Sequence, residues 1–253
     1  MSDFDLKGRG ILVTRAAHQA GGLVERIEAC QGRAIRFPTL EIVACEKPDR
    51  VRSLFRQSWD AIIFVSPNAV THALNLLSGY RIHATLGAVG KATAAALRRS
   101  GYSIDLIPVD RYDSEGLLML APLQAMTGKR VLIVRGEGGR ALLGEGLQAR
   151  GAEVGYAEVY RRIKPTVDPN PLLAQWQEQV DLVTATSAEV LDNLIALLGE
   201  PGWPMLQRTP LLVISERMRR KAEKKGFQTI LLAVGANDDA IMSAIQNWVE
   251  CTS

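Results

Sequence analysis

The chain states one pattern twice. Ile11-Leu-Val-Thr-Arg15 returns as Val131-Leu-Ile-Val-Arg135, an offset of 131 − 11 = 120. Asp60-Ala-Ile-Ile-Phe-Val-Ser66 returns as Asp181-Leu-Val-Thr-Ala-Thr-Ser187, an offset of 181 − 60 = 121. Gly101-Tyr102, after a basic stretch, returns as Gly226-Phe227, an offset of 226 − 101 = 125. A period this long signals two similar domains, because solenoid repeats run to roughly 20–50 residues. Two α/β units of this kind are expected to enclose a cleft, the usual ligand site in such proteins.

Within each copy, short apolar runs alternate with amphipathic stretches. Runs at 11–14, 33–37, 39–44, 61–65, 85–89, 104–107, 131–134, 153–163, 181–185, 211–214 and 229–233 read as strands. Most are continuously apolar, which predicts parallel sheets covered by helices on both faces. Ser66-Pro67 reads as an N-cap followed by the first helical position. Asp113-Ser114 and Asn237-Asp238 predict caps for helices near 115–125 and 238–249. Gly101, Gly151 and Gly226 read as helix stops. Residues 38–48 and 157–165 break the rhythm, end in Pro and predict linkers, near 38–44 and 157–164. The residues alone allow a plain tandem with a break near 128, or a crossed form in which the first β-α segment joins the C-terminal half.

Composition bounds the function. The chain is 47% hydrophobic and 23% charged, as expected of a soluble globular protein. Its net charge of +3 and aromatic content of 6% argue against a nucleic-acid partner, and leave room for a small acidic ligand. Three cysteines, Cys30, Cys45 and Cys251, are widely spaced and suggest a reducing compartment. The acidic N-terminus is unlike a signal peptide, and no apolar run approaches the roughly 20 residues of a membrane span. A cytoplasmic location, no membrane association and a monomer are expected.

Gly136-Glu-Gly138-Gly139-Arg-Ala141 fits a dinucleotide fingerprint, with Glu158 roughly 20 residues on. It sits mid-chain, and its counterpart Ala16-Ala-His-Gln-Ala20 lacks the glycines, so a plain glycine-rich turn is the preferred reading. His18, His72 and His83 have no metal-ligand spacing and read as surface or capping residues. The basic stretch from Glu216 to Lys225 reads as a solvated helix face. The strand ends carry most information. Thr14-Arg15, Ser66-Pro-Asn68, Gly90-Lys91-Ala-Thr93, Arg135-Gly136, Thr184-Ala-Thr186-Ser187 and Ser215-Glu-Arg217 each follow an apolar run and precede a helix. Singly, each reads as capping. Together, on two facing sheet edges, they predict helix N–H groups, hydroxyls and arginines disposed for a polyanionic small molecule.

These motifs, in this order, resemble the uroporphyrinogen-III synthase family over nearly the whole chain. The carrying pieces are Ile11-Leu-Val-Thr-Arg15, Ile62-Ile-Phe-Val-Ser-Pro-Asn-Ala-Val70, Ala88-Val-Gly-Lys-Ala-Thr-Ala94, Val131-Leu-Ile-Val-Arg-Gly136 and Glu158-Val-Tyr160. The resemblance implies two doubly wound, flavodoxin-like parallel-sheet domains with crossed connectivity. They would comprise residues 1–38 plus 164–253, and 39–163, joined by a two-stranded linker. It implies no metal and no organic cofactor. The implied substrate is hydroxymethylbilane, a linear tetrapyrrole with eight carboxylates, closed with loss of water and inversion of the terminal ring through a spiro intermediate. Tyr160 matches the family's cleft tyrosine, as donor or general acid to the leaving hydroxyl or as a positioning group. Ser66 and Thr93 match cleft-lining positions; Met218 aligns with Thr93 (93 + 125 = 218), leaving Ser215 and Arg217 to supply polar contacts there. Arg15, Asn68, Gly90, Lys91, Arg135, Thr186 and Ser187 complete the expected substrate-binding set. A non-catalytic two-domain binding protein and a nucleotide-sugar transferase are the rival readings.

Overall fold

A computed structural model describes residues 4–252. The chain divides into two compact units, one formed by the segment up to Glu41 with that from Ile163 onward, the other by Ile42–Arg162. In chain order the elements are β1 (Gly10–Val13), α1 (Ala17–Ala29), β2 (Arg33–Arg36), β3 (Glu41–Ala44), α2 (Pro48–Phe55), β4 (Ala61–Phe64), α3 (Pro67–Leu77), β5 (Thr85–Ala88), α4 (Lys91–Arg99) and α5 (Ser114–Leu118). There follow β6 (Arg130–Gly136), α6 (Leu142–Gln148), β7 (Glu153–Ile163), α7 (Asn170–Ala174), α8 (Trp176–Gln179), β8 (Leu182–Ala185), α9 (Ala188–Arg208), β9 (Leu211–Val213), α10 (Glu216–Lys225), β10 (Ile230–Leu232) and α11 (Asp238–Thr252).

Each unit is built on one five-stranded sheet. The first has the order β10-β9-β8-β1-β2, with β1/β2, β1/β8, β8/β9 and β9/β10 parallel. The second has the order β3-β7-β6-β4-β5, with β4/β5, β4/β6 and β6/β7 parallel. The chain thus leaves its first sheet after β2 and returns to it at β8. The duplicated segments occupy matching places: β1 corresponds to β6, and β8 to β4. Read across, β2-β1-β8-β9-β10 corresponds to β7-β6-β4-β5 followed by a single parallel bridge, Gly87–Leu106.

That bridge is where the expected strand 104–107 falls short. The Asp105 carboxylate takes the Leu86 N–H at 2.9 Å, and a side chain thereby displaces a backbone ladder bond. Pro108 next offers no N–H to extend the pairing. The helix expected near 115–125 is also cut short. Asp113 caps it through the Gly116 N–H at 2.8 Å, but it ends at Leu118. Pro122 cannot donate to the Leu118 carbonyl, which accepts from Gln124 Nε2 at 2.7 Å instead.

The continuous apolar runs have a simple cause: successive residues enter two different cores. Ile62, Phe64, Leu132 and Val134 pack with α2, α3 and α4, while Ala61, Ile63, Val131 and Ile133 pack with α5 and α6. In the other unit, Leu12, Val183 and Leu211 meet α8, α9 and α10, while Ile11, Val13, Leu182 and Leu212 meet α1 and α11. Each face alone would leave the sheet half-solvated, so the alternate residues of one run are all apolar. Gly101, Gly151 and Gly226 take φ of +84°, +89° and +88° just past helix ends, the left-handed region open to glycine.

Candidate active site

Four helices start at the carboxyl ends of their strands in matching pairs, α3 with α9 and α4 with α10. Ser66 caps α3 by accepting the Ala69 N–H at 3.1 Å, and Ser187 caps α9 by accepting the Val190 N–H at 3.0 Å. Ser215 caps α10 through the Met218 N–H at 3.4 Å, whereas Gly90, its counterpart on α4, brings no side chain to the cap. The three serines therefore do perform the capping that any one of them suggests by itself. Gly90 leaves the first amides of a nine-residue helix without a side-chain acceptor, in the position where a helix dipole favours an anion. Thr93 and Met218 both occupy the third helical position; both are buried, at 3% exposure each.

Tyr160 reaches this edge through an irregularity in its strand. Arg135 pairs with Glu158 but Gly136 pairs with Tyr160, so Val159 is the extra residue of a β-bulge on β7. Strict alternation would send Val159 and Tyr160 to opposite faces. The bulge lets both join the core built with α2, α3 and α4. There the Tyr160 hydroxyl lies 3.3 Å from Ser66 Oγ, and its ring lies 5.6 Å from that of His72, tilted by 33°. Gly136 makes the room: a Cβ there would sit 2.5 Å from Tyr160 Cε2 and Cζ. The outcome corrects the reading of His72 as a surface or capping residue. It is half-buried on α3, against the tyrosine. His72 did not stand out by spacing, and Gly136 stood out only as part of a glycine-rich turn; their importance comes from where the bulge puts Tyr160.

Beside Tyr160, a hollow of about 380 Å3 is lined by Cys45, Lys47, Arg50, Arg135 and Glu158 among others. Burial pushes the Cys45 thiol pKa up, which keeps it a poor nucleophile. Arg135 donates to Glu158 Oε1 and to the Gly139 carbonyl, each at 3.0 Å, and its guanidinium stacks 4.1 Å from the Tyr156 ring. It thereby staples the glycine-rich turn 136–139, and Glu158 is engaged by the arginine. Both findings suit a structural turn better than a dinucleotide loop.

The remaining expected site residues fall as follows. Arg15 is buried at the end of β1 and pairs with Asp238 at 2.6 Å. Asn68, Thr186 and Ser187 are half-buried at the starts of α3 and α9. Lys91 is exposed, its ammonium 4.4 Å from the Tyr112 ring. Arg217 is exposed and lines, with Arg220, Lys221, Lys224 and Lys225, a surface hollow of about 520 Å3 on α10. Below it, burial pushes the Asp192 pKa up, but contacts with Lys221 and Lys225 outweigh this and hold it below the usual carboxylate value. Within the second unit, Ser66, Asn68, Arg135 and Tyr160 thus cluster near the ends of β4, β6 and β7. Arg15 and Arg135 carry charges already met by acids of their own unit.

Comparison with known proteins complements this geometry. A sequence model described as uroporphyrinogen-III synthase HemD matches residues 22–243. The uroporphyrinogen-III synthases of Salmonella typhimurium and Escherichia coli are each 38% identical over 249 residues, spanning 93% of this chain and 99% of theirs. Among solved structures, uroporphyrinogen-III synthetase from Helicobacter pylori aligns with a TM-score of 0.63 at 16% identity, covering 95% of this chain and 99% of that one. A mutant uroporphyrinogen III synthase from Thermus thermophilus aligns with a TM-score of 0.58 at 18% identity, covering 95% and 98%. At such identities the structural matches speak for a shared fold.

Proposed function

Because the chain belongs to the uroporphyrinogen-III synthase family, we propose that it is a cyclising lyase of tetrapyrrole and haem biosynthesis. Its substrate is hydroxymethylbilane and its product uroporphyrinogen III. The terminal C–O bond breaks and the hydroxyl leaves as water, giving an azafulvene cation. The far ring attacks through its substituted α-carbon to form a spiro intermediate. This opens and recloses at the other α-carbon, and a proton is released, so the net loss is one water. The chemistry asks for no strong nucleophile. It asks for a chain held so that the substituted carbon is the one in reach, a proximity effect.

The observation that carries the reading is the family match along nearly the full length. The local chemistry supports it. The carboxyl edges supply helix N-termini, with the amides after Gly90 open to a carboxylate. Lys91 and Arg217 add exposed positive charge. The Ser66–Tyr160 hydroxyl pair is assigned to the leaving group. Asn68, Thr93, Thr186, Ser187 and Ser215 are proposed to shape the same edges, with Arg15 and Arg135 holding their turns in place. The two units are taken as two doubly wound, flavodoxin-like domains. The second-first-third-fourth-fifth strand order of the first supports this, with β3 and β7 as the paired linker strands. No helix among the described residues is long and apolar enough to cross a membrane. We retain the expectation of a cytoplasmic monomer acting on a small molecule without metal or cofactor. The family match gives no support to a non-catalytic binder.

The test is to supply hydroxymethylbilane and resolve the product isomers chromatographically. Unassisted closure yields isomer I. Isomer III in excess is expected, and isomer I alone would refute the assignment.

A further inference from the structure

Tyr160 is 2% exposed, while its partner Ser66 is half-buried at the end of β4. A serine hydroxyl has one hydrogen to give and two lone pairs to offer. Ser66 Oγ accepts the Ala69 N–H at 3.1 Å and lies 3.3 Å from the Tyr160 hydroxyl oxygen, a contact in which either oxygen could be the donor. Ser66 Oγ is within hydrogen-bonding reach of that phenol. A buried O–H left without an acceptor is costly, which favours the order in which the phenol donates to Ser66. Both lone pairs are then filled, and the Ser66 O–H must point away from its two neighbours. Its counterpart Ser187 caps α9 in the same way but, among the described residues, makes no hydrogen bond to a phenol. The bulge on β7, the missing Cβ of Gly136 and the His72 ring together hold Tyr160 in this contact.

We infer that Ser66 is the hydroxyl that touches the substrate, donating its hydrogen bond to the departing oxygen, and that Tyr160 is a positioning residue acting through it. This rests on the cyclisation proposed above. A donor fixed in advance toward an oxygen that gains negative charge as the C–O bond breaks favours the transition state over the ground state. Tyr160 supplies the fixing: without its donated hydrogen bond, the Ser66 O–H can turn inward.

A double-mutant cycle tests this, read as kcat and KM for isomer III formation. Ser66→Gly keeps most of the helix cap and removes the hydroxyl. It is expected to lower kcat by about 10²-fold with little change in KM. Tyr160→Phe is expected to lower kcat by about tenfold, and Ser66→Thr to retain activity. The double variant Ser66→Gly/Tyr160→Phe should be no slower than Ser66→Gly. Losses that multiply in the double variant, or a Tyr160→Phe loss deeper than that of Ser66→Gly, would mean that Tyr160 meets the substrate itself and would overturn the inference. Full kcat in Ser66→Gly would reduce Ser66 to a cap, with the same result. Should Ser66→Gly fail to fold, Ser66→Asp caps equally well and has no proton to give at neutral pH; full activity in that variant would likewise overturn the inference. Wild-type protein yielding only isomer I would instead remove the cyclisation reading, and this inference with it.

Discussion

Asp60 and Asp181 hold matching places in the repeat and do the same work. Asp60 Oδ2 accepts the Arg130 N–H at 2.8 Å, and Asp181 Oδ2 accepts the Gly10 N–H at 2.6 Å. Each carboxylate ties the start of a strand to its central neighbour, β4 to β6 and β8 to β1. The Arg130 N–H, helped by Lys129, holds the Asp60 pKa below the usual aspartate value. A depressed carboxylate contributes stability above its unfolded pKa and loses it as pH falls through the folded one. Asp60→Asn should therefore lower the urea midpoint at pH 7, with the gap to wild type closing below about pH 4. An equal gap at pH 7 and pH 3 would show that the charge is immaterial. Arg15 and Arg135, also a repeat pair, teach a different lesson. As strand-end arginines they were legible in the sequence. That their charges are met by Asp238 and Glu158 was not, because one partner is 223 residues away and the other lies on a neighbouring strand.

Among elements, starts and stops were the most legible features. Ser66, Asp113 and Asn237 all cap where their residue types predict, through Ala69, Gly116 and Ala240. Capping is a contact over three residues, and local sequence contains both partners. The 104–107 strand fell short because Asp105 acts on Leu86, a partner 19 residues away that the local pattern does not show; the 115–125 helix fell short at Pro122, a local breaker four residues beyond Leu118 that the helical reading passed over. The bulge on β7 is the element-scale feature with a chemical consequence. It puts Tyr160 over Gly136, so Gly136→Ala must displace the ring. Overpacking of this kind costs about 1–3 kcal/mol. The expected result is a lower urea midpoint together with a fall in isomer III turnover comparable to that of Tyr160→Phe. Unchanged stability and turnover would show that the ring does not occupy that space.

At the scale of the molecule, one unit is contiguous and the other is not. Ile42–Arg162 spans 162 − 42 + 1 = 121 residues and contains both cores that flank its sheet. Expressed alone, it is expected to unfold in a single cooperative urea transition. A chain lacking near-UV circular dichroism and a cooperative transition would show that this unit depends on the rest of the protein. The duplication was legible because each copy repeats its strand–turn–helix punctuation. The unequal fifth strands were not, since β10 forms a ladder where the counterpart around Leu106 makes one bridge.

The sequence by itself determined the α/β class, the parallel sheets, the strand-end turns and the family, because apolar periodicity, caps and motif order are local or repeated signals. Only the tertiary structure decided which hydroxyls meet, which arginines are already paired and which face Tyr160 takes. Those outcomes depend on one bulged residue and on contacts between segments tens to hundreds of positions apart, and no spacing along the chain encodes them.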